Sequence, residues 1–135
     1  MKMARGQALL ELALCAPIVI LLALGVTAVV EVQDAVLGLD AATHAAASAA
    51  ARAPDSAAAD AAARTRFAAV AAGYPIHGAA LNVSFGAFSR GTEVTATSVA
   101  FVDVGWAGLI LPHRVDLHSR AVIHVELWRS HRAAA

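Results

Sequence analysis

Residues 5–25 read RGQALLELALCAPIVILLALG, and this stretch decides the fold because one acid, Glu11, stands at the start of an otherwise uncharged apolar run. No charged residue occurs from Leu12 to Val30. As a helix, these 19 residues extend for roughly 28 Å at about 1.5 Å per residue, close to the bilayer core of about 30 Å. The stretch therefore predicts one membrane-spanning helix with a carboxylate at its entrance.

The charges on either side of the run predict its orientation. Lys2 and Arg5 precede it, whereas the acids Glu31, Asp34 and Asp40 follow it. Because basic residues favour the cytoplasmic side of a membrane, we expect the amino terminus in the cytoplasm. The rest of the chain then lies outside.

The position of Glu11 relative to the Gly6–Gln7 bond predicts a role for this acid. A carboxylate at the edge of a bilayer is costly unless a partner neutralises it, so Glu11 is a candidate functional residue. If the Gly6–Gln7 bond is cut, Glu11 becomes the fifth residue of the mature chain. It is then within reach of the new amino terminus of a neighbouring subunit.

Residues 5–25 resemble the opening of the TadE-like minor pilins of tight-adherence type IV pilus systems. Those proteins show the pattern R-G-Q-x-x-x-E, followed by an apolar run that an early proline interrupts and that closes near a glycine. Residues 92–97 and 121–126 resemble the strand segments that follow in the same family. The match covers most of the chain, but only its first 25 residues carry a specific motif.

The resemblance implies a pilin life cycle. A membrane prepilin peptidase would remove the leader after Gly6, and Glu11 would pair with the freed amino terminus of Gln7 on an adjacent subunit. The implied partners are the peptidase, a small major pilin, other minor pilins, the pilus assembly platform and, before assembly, membrane lipid. No cofactor is implied.

The segments predicted from the sequence are a leader (1–6), an amino-terminal helix (7–53) with its span at about 12–30, and an external α+β domain (54–135). The helix continues beyond the membrane because residues 32–53 are rich in alanine, and Pro54 ends it. Within the span, Pro17 removes one backbone hydrogen bond, so we expect a kink or local unwinding there.

The external domain is predicted to contain a second helix and a small antiparallel sheet. The helix begins after Asp55, a suitable N-cap, and stops at Gly73, with Asp60 and Arg64 paired one turn apart. Three segments then alternate between apolar and polar residues, at 80–88, 92–104 and 114–129. This pattern predicts strands with one buried and one solvated face.

An apolar loop precedes the third strand and contains Trp106, Leu109, Ile110 and Leu111. Two interpretations remain open for it. The favoured one is that the loop folds over the inner face of the sheet, because so small a domain needs its apolar side chains for a core. The alternative is that the loop docks on another pilus component.

Composition and motifs argue against several other functions. Lys plus Arg equals Asp plus Glu, at 10 each, so no basic surface for nucleic acid is indicated. The single cysteine, Cys15, lies inside the apolar run, where we expect it to pack as a small apolar group. We find no motif of a hydrolase or zinc enzyme and predict that the protein is not an enzyme.

The acids and histidines of the last strand raise the question of a metal site. Asp116, His118, His124 and Glu126 share one strand face. Neighbours on one strand face are about 7 Å apart, so these side chains do not converge on a point. A solvated polar face is the favoured interpretation.

Two other functions stay open. One is a pseudopilin of a secretion machine, which would share the leader, the acid and the helix. The other is an uncut single-pass anchor that holds a small external binding domain, with Glu11 merely at the membrane surface.

Overall fold

The computed structural model describes residues 2–86, 91–108 and 113–125, and from residue 6 onward it also describes their side chains. These residues form helices α1 (Lys2–Ala51) and α2 (Ser56–Ala71) and strands β1 (His77–Phe85), β2 (Glu93–Asp103) and β3 (Arg114–His124), with a short 3-10 turn at Gly105–Ala107. The strands form one antiparallel sheet in the order β1-β2-β3. The predicted α+β fold is confirmed.

Helix α1 divides into an exposed half and a packed half. Residues 6–27 are exposed apart from Ala16 and Gly25, which are partly covered. Within the described part of the chain, α1 is the one helix long and apolar enough to cross a membrane. It ends at Ala51, two residues before the predicted end.

The packed half of α1 begins at Ala28, which has no exposed surface. From there a buried stripe follows the helix at spacings of three and four residues, as expected for one helical face. Its buried members are Ala28, Ala35, Gly38, Leu39, Ala42, Thr43, Ala46, Ala47, Ala50 and Ala51. Because most are alanines, a neighbouring backbone can approach α1 closely, and α2 and the sheet pack on this side.

Helix α2 follows the sequence prediction closely. The Oδ1 atom of Asp55 accepts a hydrogen bond from the backbone N–H of Ala58 at 2.8 Å, which confirms the predicted N-cap. Ala59, Ala63 and Phe67 lie four residues apart and form its buried face.

The predicted ion pair on α2 is also present. The Nε of Arg64 lies 2.8 Å from the Oδ2 of Asp60, on the exposed side of the helix. The hydrogen bond to Asp60, and then its negative charge, raise the pKa of the Arg64 guanidinium above its ordinary value. Both side chains are largely exposed, so the pair adds little to stability.

The sheet has the predicted buried and solvated faces. Along β2, alternate residues from Val94 to Val102 are buried, and along β3 the residues on the outer face are exposed. In the register, Val94 lies opposite Ile123 and Ala100 lies opposite Leu117 on the inner face. The predicted strands and the turn between the first two also included residues 87–90 and 126–129. These residues lie outside the described part of the chain.

Strand β1 begins earlier than predicted. The sequence predicted the first strand from residue 80, whereas β1 starts at His77 and its register with β2 shifts between His77 and Ala80. Gly78 makes this irregularity possible because its φ is +59°. A Cβ at Gly78 would also lie only 2.6 Å from Cε1 of the Phe101 ring.

A buried pair of hydroxyls joins α1 to the middle of the sheet. The Thr43 hydroxyl donates to the carbonyl of Leu39 at 2.7 Å and also bonds the Ser98 hydroxyl on β2. Thr43 is fully buried and Ser98 is 2 % exposed. Every polar atom of the pair is therefore satisfied inside the domain, which fixes the position of β2 along α1.

A second close contact joins α1 to the link between α2 and β1. A Cβ added at Gly38 would lie 2.6 Å from the Cβ of Tyr74 and closer still to its ring. Only glycine fits at this point of α1.

We predict that Gly38→Ala destabilises the domain by about 1–3 kcal/mol, the usual cost of an overpacked contact. The loss outweighs the gain of up to about 1 kcal/mol that alanine brings to a helix interior. Chemical denaturation of the full chain in detergent micelles measures the change. Gly25→Ala is the matched control, because a Cβ there meets nothing within 4 Å. Adding Tyr74→Ala to Gly38→Ala should restore part of the loss. Equal stability of the two single glycine variants would contradict the contact.

We also predict that Thr43→Val lowers the free energy of unfolding by about 1–3 kcal/mol, because it leaves the Ser98 hydroxyl buried without its partner. Thr65→Val is the control, since Thr65 makes the same bond to a carbonyl four residues earlier, at 2.9 Å, but is exposed. Its change should stay within about 0.5 kcal/mol. If the two valine variants lose the same stability in denaturant titrations, the buried bond does not hold β2 on α1.

Candidate functional site

The three residues of the proposed processing site lie together at the start of α1. Gly6 and Gln7 are in its first turns, and Glu11 lies one turn after Gln7. Gln7 and Glu11 are both exposed, and a Cβ added at Gly6 meets nothing within 4 Å. At about 1.5 Å per residue, Glu11 is roughly 7.5 Å along the helix from Gly6.

Glu11 has no partner among the side chains that the structure describes. The ion pairs within that part of the chain are Asp60–Arg64 and Arg114–Asp116, and no hydrogen bond involves the Glu11 carboxylate. Any group of opposite charge at Glu11 would come from a dissolved cation, a lipid headgroup, the undescribed side chains of the leader or another molecule.

Pro17 and Cys15 occupy the exposed half of the helix. The helix continues through Pro17 without interruption, so local unwinding is absent, and a kink stays a prediction. Cys15 is a free, exposed thiol. In this half of α1, the hydroxyl of Thr27 donates a hydrogen bond to the Ala23 carbonyl at 2.9 Å, so its donor has a partner within the helix.

At the far end of the apolar run, Trp106 contacts α1. Its indole Nε1 donates to the Oε2 of Glu31 at 3.0 Å, although the two residues are 75 positions apart in the chain. The residue remains 48 % exposed. The backbone just before Trp106 is held by the Asp103 carboxylate, which accepts a hydrogen bond from the Gly105 N–H at 2.8 Å. The turn therefore presents Trp106 beside the end of the apolar run.

This placement corrects the expected core role of Trp106. The Trp106 side chain does not complete the inner core, because the residue is 48 % exposed, whereas Ala107, at 3 % exposure, is the buried residue of the Gly105–Ala107 turn. The indole needs a hydrogen-bond acceptor, and Glu31 supplies one at the surface. Leu109, Ile110 and Leu111 lie outside the described residues, so their role stays a prediction.

A polar cluster occupies one end of the outer sheet face. The guanidinium carbon of Arg114 lies 3.9 Å from the centre of the Phe101 ring, and its Nε lies 2.8 Å from Asp116. His118 and His124 are exposed on the same face. Within residues 2–86, 91–108 and 113–125, no three His, Cys, Asp or Glu side chains are placed to hold a metal ion.

Comparison with known proteins gives no match: no family model fits the sequence, and no curated protein or solved structure is significantly similar to it. Relationship to the TadE-like pilins therefore stays a prediction from residues 5–25.

Proposed function

We propose that the protein is a minor pilin of the TadE-like kind, processed between Gly6 and Gln7 and then incorporated into, or used to start, a tight-adherence pilus. The observation that carries the proposal is the placement of Glu11. It is exposed, lacks a partner among the described side chains and stands at the entrance of a helix that is largely exposed up to Thr27.

Pairing between subunits follows from the chemistry of this end of the helix. Cleavage gives Gln7 a free, positively charged α-amino group, and Glu11 supplies one negative charge. In a medium of low dielectric constant, each charge is costly alone, and the pair is tolerable because the two neutralise one another. The pairing therefore favours association of one subunit with the next.

The same pairing sets the offset between neighbouring subunits. Gln7 and Glu11 are four residues apart, which is about 6 Å along a helix axis. An amino terminus that bonds Glu11 of its neighbour therefore shifts that neighbour by one helical turn. The exposed half of α1 supplies the apolar surface for such contacts, and the packed half carries the external domain.

The proposal includes a direction across the membrane. Lys2 and Arg5 place the leader in the cytoplasm by the positive-inside rule, so the peptidase would act at that face. Helix α2 and the sheet would then be external, where they remain while α1 moves from lipid into a filament.

We predict that co-expression with a prepilin peptidase yields a chain that begins at Gln7. Intact mass and amino-terminal sequencing of the membrane-extracted protein measure the cut. Gly6→Val should block it because the added bulk lies next to the cleaved bond, whereas Gly25→Ala, the control within the span, should be cut normally. A retained Met1 or Lys2 in the presence of active peptidase would support the uncut anchor instead.

We further predict that Glu11→Ala leaves processing and membrane insertion intact but lowers incorporation into filaments more than tenfold. Loss of one partner from a desolvated charge pair costs roughly 2–5 kcal/mol. Immunoblots of sheared filaments against the membrane fraction measure incorporation. Glu93→Ala, which removes an exposed carboxylate from β2, serves as the control. Equal incorporation of the two variants would remove the role proposed for Glu11. Incorporation into secretion pseudopili rather than adherence pili would support the secretion alternative.

A further inference from the structure

The Trp106 turn lies beside Glu31, which is at the level of the membrane boundary if α1 is inserted as proposed. Glu31 is the first charged residue after the uncharged run 12–30, so it marks the position where α1 leaves the hydrocarbon. The Trp106 indole is hydrogen-bonded to this carboxylate. The ring is therefore held beside the boundary by α1 itself.

The external domain begins to cover α1 before the apolar run has ended. Ala28 is fully buried, although it lies about 4.5 Å nearer the membrane than Glu31 along the helix. Other alanines of the run, such as Ala13 and Ala23, are exposed, so the helix alone does not bury Ala28. On the side of α1 that carries Ala28, the domain therefore begins within the uncharged run and not after it.

The Trp106 side chain has the chemistry of an interfacial anchor. About half of the ring is exposed, and its one polar group already has an acceptor. An indole with an apolar body and a satisfied N–H favours the headgroup level of a bilayer, where tryptophan is enriched. If the ring were exposed to water instead, its apolar surface would gain no favourable free energy of burial.

We propose that the exposed side of the turn Gly105–Gly108 rests on the outer lipid headgroups of the membrane that α1 crosses, with Trp106 inserted at the interface. The inference rests on the membrane insertion included in the proposed function. The Glu31–Trp106 hydrogen bond fixes the domain against the membrane in one orientation, and entry into a filament requires Trp106 to leave the lipid.

Depth-dependent quenching of Trp106 fluorescence tests this inference. The full chain with Trp128→Phe retains Trp106 as its one tryptophan and is reconstituted into phosphatidylcholine vesicles. One set of vesicles carries bromine on the acyl chains near the glycerol, and another carries bromine near the bilayer centre. We expect the shallow bromines to quench Trp106 at least about twofold more than the deep ones, as for an interfacial indole.

A tryptophan farther from the membrane is the matched control. Val99 is 45 % exposed, and it follows Ser98, which bonds Thr43 on α1. Thr43 is twelve residues beyond Glu31, or about 18 Å along the helix. Val99→Trp, combined with Trp106→Phe and Trp128→Phe, should therefore escape both kinds of bromine. Equal quenching of the two reporters, or no quenching of Trp106, would overturn the inference.

A separate measurement reports whether α1 is inserted. Leu21, near the middle of the run, is replaced by cysteine in a Cys15→Ala background, and a membrane-impermeant maleimide is added to the vesicles. Protection of the thiol with an unquenched Trp106 would overturn only the interfacial contact. A reactive thiol would overturn both the contact and the proposed membrane insertion.

Discussion

The continuity of α1 from its exposed half to its packed half is the constraint on which the rest of the structure depends. One helix presents apolar side chains outward over residues 6–27 and then buries one face from Ala28 onward. Its axis therefore fixes where the domain stands relative to the apolar span. Contacts at three levels of α1 hold the domain in place: Trp106 at Glu31, Tyr74 at Gly38 and Ser98 at Thr43.

Alanine determines how this small domain forms a core. The alanines in the buried stripe of α1 and in the buried face of α2 supply almost no bulk, so the two helices can pack closely against each other. Larger side chains come from Leu39, Phe67 and the inner face of the sheet. A core of this kind depends on close fit more than on volume, and this dependence explains why Gly38 and the buried Thr43–Ser98 bond matter.

The sequence predicts those elements that depend on local pattern. The absence of charge from residue 12 to residue 30 predicts the exposed half of α1, and Asp55 predicts the start of α2. The alternation of apolar and polar residues predicts the two faces of the sheet. Contacts between distant residues were not predictable, because Thr43–Ser98 and Glu31–Trp106 depend on how the sheet is placed on α1. Trp106 was expected in the core because so small a domain needs its apolar side chains there. Its N–H requires an acceptor, however, and Glu31 provides one at the surface. Of the candidate site, Gly6, Gln7 and Glu11 lie close together because they are neighbours on one helix.

The two carboxylates at the ends of the apolar run, Glu11 and Glu31, differ in whether their own chain gives them a hydrogen-bond donor. Glu31 receives a hydrogen bond from Trp106 of its own chain, so it is satisfied where the helix enters the external domain. Glu11 receives none from the described side chains, and the folded domain begins to cover α1 only at Ala28, roughly 25 Å farther along the helix. If the leader is removed with Lys2 and Arg5, the cation nearest to Glu11 in sequence is its own new amino terminus, one turn away. In a filament, the equivalent amino terminus of a neighbour is the group of matching charge at matching depth, which is why the proposed function depends on cleavage.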